Sequence, residues 1–245
     1  MDADFDAAVL GLALPAGVEA ALREAALKRD DAAGAMAALM RARALAPDHP
    51  AVLIAFYRHH FFGHRLALDH PAAVKKIAVL DIVPTLKVFD DIDQRVATSY
   101  FHWFFLIQPF DFPERTIGYD PRYYLTSRLG RWGSNIDAFP KEVVEEYVRL
   151  FSDPACIHAT CEDYRAAASI DLIHDQADRD LGRKVTCPML ALWAEKGLMH
   201  KKYDVVAVWR DYATKVSGKA LPAGHFLPEE APAETLAALR EFLLG

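Results

Sequence analysis

Long apolar runs are missing from this 245-residue chain: no stretch approaches the roughly 20 residues that a membrane-crossing helix requires, so a membrane role is not expected. Cysteine is scarce as well. Cys156, Cys161 and Cys187 make an odd number without paired spacing, which argues against a disulfide framework and for a reducing, cytoplasmic setting. Basic charge is outweighed, with 28 Lys and Arg against 34 Asp and Glu and a formal charge of -6, so no footprint for nucleic acid is present. The N-terminus puts acidic residues where a secretory leader needs positive ones. Glycine (12) and proline (14) are too few for a repetitive or disordered chain, and 53% hydrophobic residues are ample for a packed core.

Composition changes along the chain. Residues 16–55 are rich in alanine and helical in period, and the remainder carries the aromatics and prolines. Leu22, Ala35, Leu39, Ala42 and Pro47 recur at the spacing of two short antiparallel helices, small residues allowing close approach and the proline closing the second. This pattern resembles a tetratricopeptide repeat of about one and a half units, fewer than the roughly three that such arrays need to stand alone. Residues 51–70 read as one amphipathic helix ended by Pro71, with His60 and His64 on its stripe. The expected division is a helical segment over residues 1–62 and a second domain over 63–245.

In the second domain Ile77–Leu80 is a short, β-branched run that ends at Asp81 and reads as a buried parallel strand. Helices are expected over about 86–172, punctuated by Pro109, Pro113, Pro121, Pro140 and Pro154. A second strand is expected over Cys187–Trp193, a helix over Tyr203–Val216, a third strand over Gly218–Leu221 and a closing helix over Ala231–Leu244. Strand, long helical insertion, strand, helix, strand, loop histidine and helix form the ending of an α/β fold with a helical cap. Three parallel strands leave edges open, so self-association or a protein partner is expected.

Asp81 at the end of a strand and His225 in the loop before the last helix stand where α/β folds collect ligands. Each also has a plain use, Asp81 as a turn residue and His225 as a satisfied loop histidine. His59, His60 and His64, and separately Cys156, His158 and Cys161, have the look of ligand clusters, but no HExxH pattern or carboxylate third ligand accompanies the first, and packing accounts better for the second. No metal and no cofactor is expected.

The segments HRLALDHP, IAVLDIVPT, YFHWFFLIQP, CEDYRAAASID, PMLALW and GHFLPEEAP run in this order from His64 to the C-terminal region. Together they resemble the C-terminal two-thirds of the haloacetate dehalogenases, above all the fluoroacetate dehalogenases of the α/β-hydrolase fold. The resemblance implies a partial α/β hydrolase with a cap, acting on a small haloacid. An aspartate on a strand-to-helix elbow attacks the carbon that bears the halogen, and a histidine–acid pair activates water to cleave the resulting ester. Asp81 and His225 match that acid and base. His102, Trp103 and Tyr164 match the halide pocket, and Trp132 a further pocket position; aromatics at helical spacing also serve simply as cap core. The family's elbow falls at Arg58-His59-His60-Phe61-Phe62-Gly63, where this sequence has neither Asp nor Glu and one glycine, and Arg65 is the one arginine that follows. With no nucleophile at that position, the implied activity is impaired, and a non-catalytic protein or an interaction module is the alternative.

Overall fold

The computed structural model describes residues 60–69, 71–132 and 136–244, together with Gly17 and Ala21. The chain divides into two compact units, Met1–Leu66 and Ala67–Gly245. The tetratricopeptide-like pattern lies outside the described residues, as does the start of the long helix expected over 51–70; its end is helix α1 (His60–Asp69).

The second unit is built on a parallel sheet in the order β1 (Ile77–Leu80), β2 (Met189–Ala194), β3 (Val216–Leu221). β2 is central and buried along nearly its whole length, as its apolar sequence MLALWA demands. β3 alternates, with Ser217 and Lys219 exposed, and needs cover on one face only. It begins two residues earlier than its composition suggests, because ladder bonding to Met189 recruits Val216 and Ser217. Gly218 lies opposite Ala191, where a Cβ would sit 2.3 Å from the Ala191 carbonyl oxygen, so a residue without a side chain is required.

One face of the sheet, Leu190, Leu192 and Ala194, packs with Leu221, Ala223 and Leu227 beneath α12 (Leu227–Glu230) and α13 (Pro232–Leu244). Burying each of these leucines is worth about 1.5–3 kcal/mol, which makes this layer a main source of stability. The helix expected over Tyr203–Val216 is the shorter α11 (Val205–Tyr212), opened by Asp204, which accepts from the Ala207 N–H at 3.0 Å, and a separate short helix, α10 (Leu198–Lys202), precedes it. Trp209 of α11 is buried and donates its indole N–H to the Ile82 carbonyl at 2.9 Å, tying α11 to the turn after β1.

Between β1 and β2 lies the helical insertion: α2 (Thr85–Asp90), α3 (Gln94–Ser99), α4 (Phe101–Leu106), α5 (Phe112–Tyr119), α6 (Pro121–Trp132), α7 (Lys141–Phe151), α8 (Pro154–Ala167) and α9 (Ile170–Asp180). It runs from 85 to 180, past the expected limit near 172, since α9 continues to Asp180. The prolines open helices: Pro121 and Pro154 stand at first positions, where the missing N–H costs nothing, and Pro113 falls in the first turn of α5. Leu106, Ile117, Ile157 and Cys161 close the core of the cap. Among the described residues, no helix is long and apolar enough to cross a membrane.

Candidate active site

Asp81 follows β1 directly and is held by the sheet. Its backbone N–H donates to the Leu192 carbonyl at 2.7 Å, and its φ of 51° lies in the left-handed region that Asp tolerates better than most residues. The side chain is 2% exposed. Oδ1 accepts from the Ala194 N–H at the end of β2 at 2.9 Å, and Oδ2 lies 2.8 Å from Nδ1 of His225. With Nδ1–H donating to this carboxylate, Nε2 of His225 keeps its lone pair and can take a proton. Asp81 does stand in the turn after β1, but its side-chain bonds run to the end of β2 and to the histidine.

The backbone that carries His225 is clamped on three consecutive N–H groups. Gly224 and Phe226 donate to the two oxygens of Glu230, at 3.0 and 3.2 Å, and His225 donates to the Trp132 carbonyl of α6 at 2.9 Å. The cap thus fixes the base directly. Sequence reasoning passed over Glu230; the PEE of its own motif was the available signal.

His102, Trp103, Trp132 and Tyr164 come together from three cap helices. The His102 ring lies 4.2 Å from that of Trp132 and 5.6 Å from that of Tyr164, and Trp103 and Tyr164 meet at 6.3 Å. Trp132 in turn stands edge-on to His225 at 5.8 Å, so this aromatic wall adjoins the acid–histidine pair. His102 is 4% exposed and its Nδ1 has no hydrogen-bond partner among the described residues. Burial first, then the charges of Arg128 and His225, hold its imidazole down to about 3, so the ring is neutral at ordinary pH. Burial likewise pushes the Tyr164 phenol up, keeping it a protonated donor. Tyr100 stacks on Trp103 at 5.6 Å, and its phenol is raised by burial and then by the negative charge of Asp81, which makes it a neighbour of the acid. Tyr100 stands at the start of the YFHWFFLIQP segment, but nothing local in the sequence places it beside the acid.

The cysteine–histidine cluster does not form. Cys161 is fully buried, its thiol pushed up to about 12 chiefly by burial, whereas His158 is exposed and meets Glu114 at 3.2 Å. Glu114, His158 and Glu162 do converge. The guanidinium of Arg165 already bridges both carboxylates of that group, at 2.7 Å from Glu114 and 2.5 Å from Glu162. Of the other trio, His59 lies outside the described residues, as does Arg58 at the start of the 58–63 segment.

A parallel sheet, an insertion cap, and an acid after one strand paired with a histidine before the last helix define the α/β-hydrolase class. No family model matches the sequence. A fluoroacetate dehalogenase from Burkholderia sp. is 42% identical over 212 residues, covering 82% of this chain and 69% of that protein. A soluble epoxide hydrolase from Corynebacterium sp. (strain C12) is 32% identical over 170 residues, covering 68% of this chain and 57% of that protein. A crystal structure of an α/β hydrolase from Nostoc sp. PCC 7120 is 58% identical, with a TM-score of 0.71 over 74% of this chain and 61% of that one. The chain belongs to the α/β-hydrolase family that includes fluoroacetate dehalogenase, and it spans part of the length of each of these relatives.

Proposed function

We propose that the chain carries the water-activating and leaving-group half of a haloacetate-dehalogenase site, directed at a small haloacid. Asp81 orients His225 and balances the charge it gains on taking a proton from water. His102, Trp103 and Tyr164, with Trp132 behind them, offer N–H and O–H donors in an apolar wall to a departing halide. The observation that carries this proposal is the 2.8 Å Asp81–His225 contact standing directly against the aromatic wall through Trp132.

The overall reaction takes fluoroacetate and water to glycolate, fluoride and a proton. In the family, as the resemblance describes it, a carboxylate first displaces the halide and water then cleaves the ester. Here residues 58–63 hold no carboxylate. Turnover is therefore expected to fall at least about a thousandfold below that of an intact site, the order of loss when a covalent nucleophile is removed. Fluoride release from fluoroacetate, followed by 19F NMR, tests this. Slow release that vanishes in both Asp81→Asn and His225→Ala supports the proposal; slow release that persists in both overturns it. A second possibility, a non-catalytic binding protein, is favoured by the same carboxylate-free segment and predicts binding of fluoroacetate without any fluoride release.

A further inference from the structure

Arg128 has no part in the activity proposed above, yet it is the most unusual charge in the cap. It lies on α6 one turn before Trp132 and is 8% exposed. Its guanidinium sits over the Phe101 ring at 4.4 Å and less closely over Trp132 and Tyr124, at 5.6 and 5.7 Å. Ring contacts of this kind take up none of the guanidinium N–H groups as ordinary hydrogen bonds. Of five donors, one makes a bond to a described residue, Nε to Ser127 Oγ at a long 3.4 Å. No carboxylate among the described residues pairs with it.

An unpaired charge is costly to bury, and cation–π contact, mostly from the one close ring, offsets only part of that cost. A buried cation in that condition has an unfilled need for an anion. The same charge is felt at His102, where it stands second to burial in keeping the imidazole neutral. Nδ1 of His102 is itself buried and without a partner among the described residues. An unpaired cation and an unpaired ring nitrogen thus share one aromatic wall, the indole of Trp132 touching both.

We infer that Arg128 makes the cap pocket select an anionic guest over a neutral molecule of the same shape. The inference rests on the haloacid assignment of the pocket and names what sets its charge preference. A planar guanidinium suits a carboxylate by bidentate bonding, and a halide by charge alone.

The test is binding, so it needs no turnover. Fluoroacetate and its neutral amide, fluoroacetamide, are titrated against the 245-residue protein by 19F NMR, with sodium bromide as competitor. Preference for the acid of at least about tenfold is expected, the worth of one charge-assisted hydrogen bond. Arg128→Met, which keeps apolar bulk on the rings, should bring the two affinities together, and Arg128→Lys should retain most of the preference. Bromide competition that weakens in Arg128→Met assigns the charge to a halide; competition that does not change assigns it to the carboxylate. A preference that survives in Arg128→Met overturns the inference while leaving the pocket assignment intact. Binding of neither compound by the unmodified protein overturns the pocket assignment, and the inference with it. Loss of the folded circular-dichroism spectrum in both variants would mark Arg128 as a structural residue and also overturn it.

Discussion

At the scale of single residues the site is governed by which groups are allowed to carry charge. His102 is kept neutral by burial, its imidazole held down to about 3 from an ordinary value of 6.5. Between those values the unfolded chain binds a proton that the folded one refuses, so His102 contributes stability that is complete above about pH 6.5 and lost as pH falls toward 3. His102→Asn should therefore flatten the acid limb of stability across that window, as read from urea midpoints between pH 4 and 7. An unchanged limb would mean that His102 is not desolvated. Asp81 is open to an isosteric test, since Asn also tolerates a left-handed backbone. Its two oxygens face two donors, the Ala194 N–H and Nδ1–H of His225. The single oxygen of Asn can answer one of them, so Asp81→Asn should cost about 1–3 kcal/mol in stability and shift the His225 Nδ1 resonance.

At the scale of elements, positions are set by contacts that cross between them. Gly218 lets β3 close on β2, and Gly218→Ala would press a methyl into the Ala191 carbonyl; a loss of about 1–3 kcal/mol or more is expected in chemical denaturation. A loss below about 0.5 kcal/mol, the range of an ordinary surface change, would refute the close approach. Glu230 of α12 holds the His225 loop by two backbone bonds, so Glu230→Ala should speed amide exchange at Gly224 and Phe226 while α13 stays protected. Within the cap, Glu114 of α5 meets Arg165 of α8. Burial works to raise the carboxyl of Glu114, but Arg165 and His158 outweigh it and bring the group down to about 2. That pair helps stability above about pH 4.5 and ceases to help as pH falls toward 2. The difference between the unmodified chain and Glu114→Gln should shrink over the same interval.

At the scale of the whole molecule, the sheet of the second unit presents three strands among the described residues. β3 guards its edge with the exposed Lys219, a usual deterrent to pairing, and β1 has β2 as its one partner among the described residues. We expect the protein to associate with itself or with a protein partner. Light scattering that shows a monomer at micromolar concentration, stable to heating, would refute self-association.

Much of this was legible in the sequence. β1 and the acid after it follow from a short β-branched run ended by Asp81, and the helical insertion from its prolines, because such signals depend on neighbours a few residues apart. His225 and the aromatic wall were reached through motifs, whose order along the chain is enough to recognise them. The tertiary structure decided the rest: the Ala194 N–H and His225 that hold Asp81 lie 113 and 144 residues away from it. Whether Arg128 is solvated or buried, and whether Glu230 faces water or the His225 loop, likewise depends on how the cap and the sheet close. The physical reason is range: local chain chemistry chooses helix or strand, whereas the desolvation of a charge and the pairing of a donor are set by residues that only folding brings near.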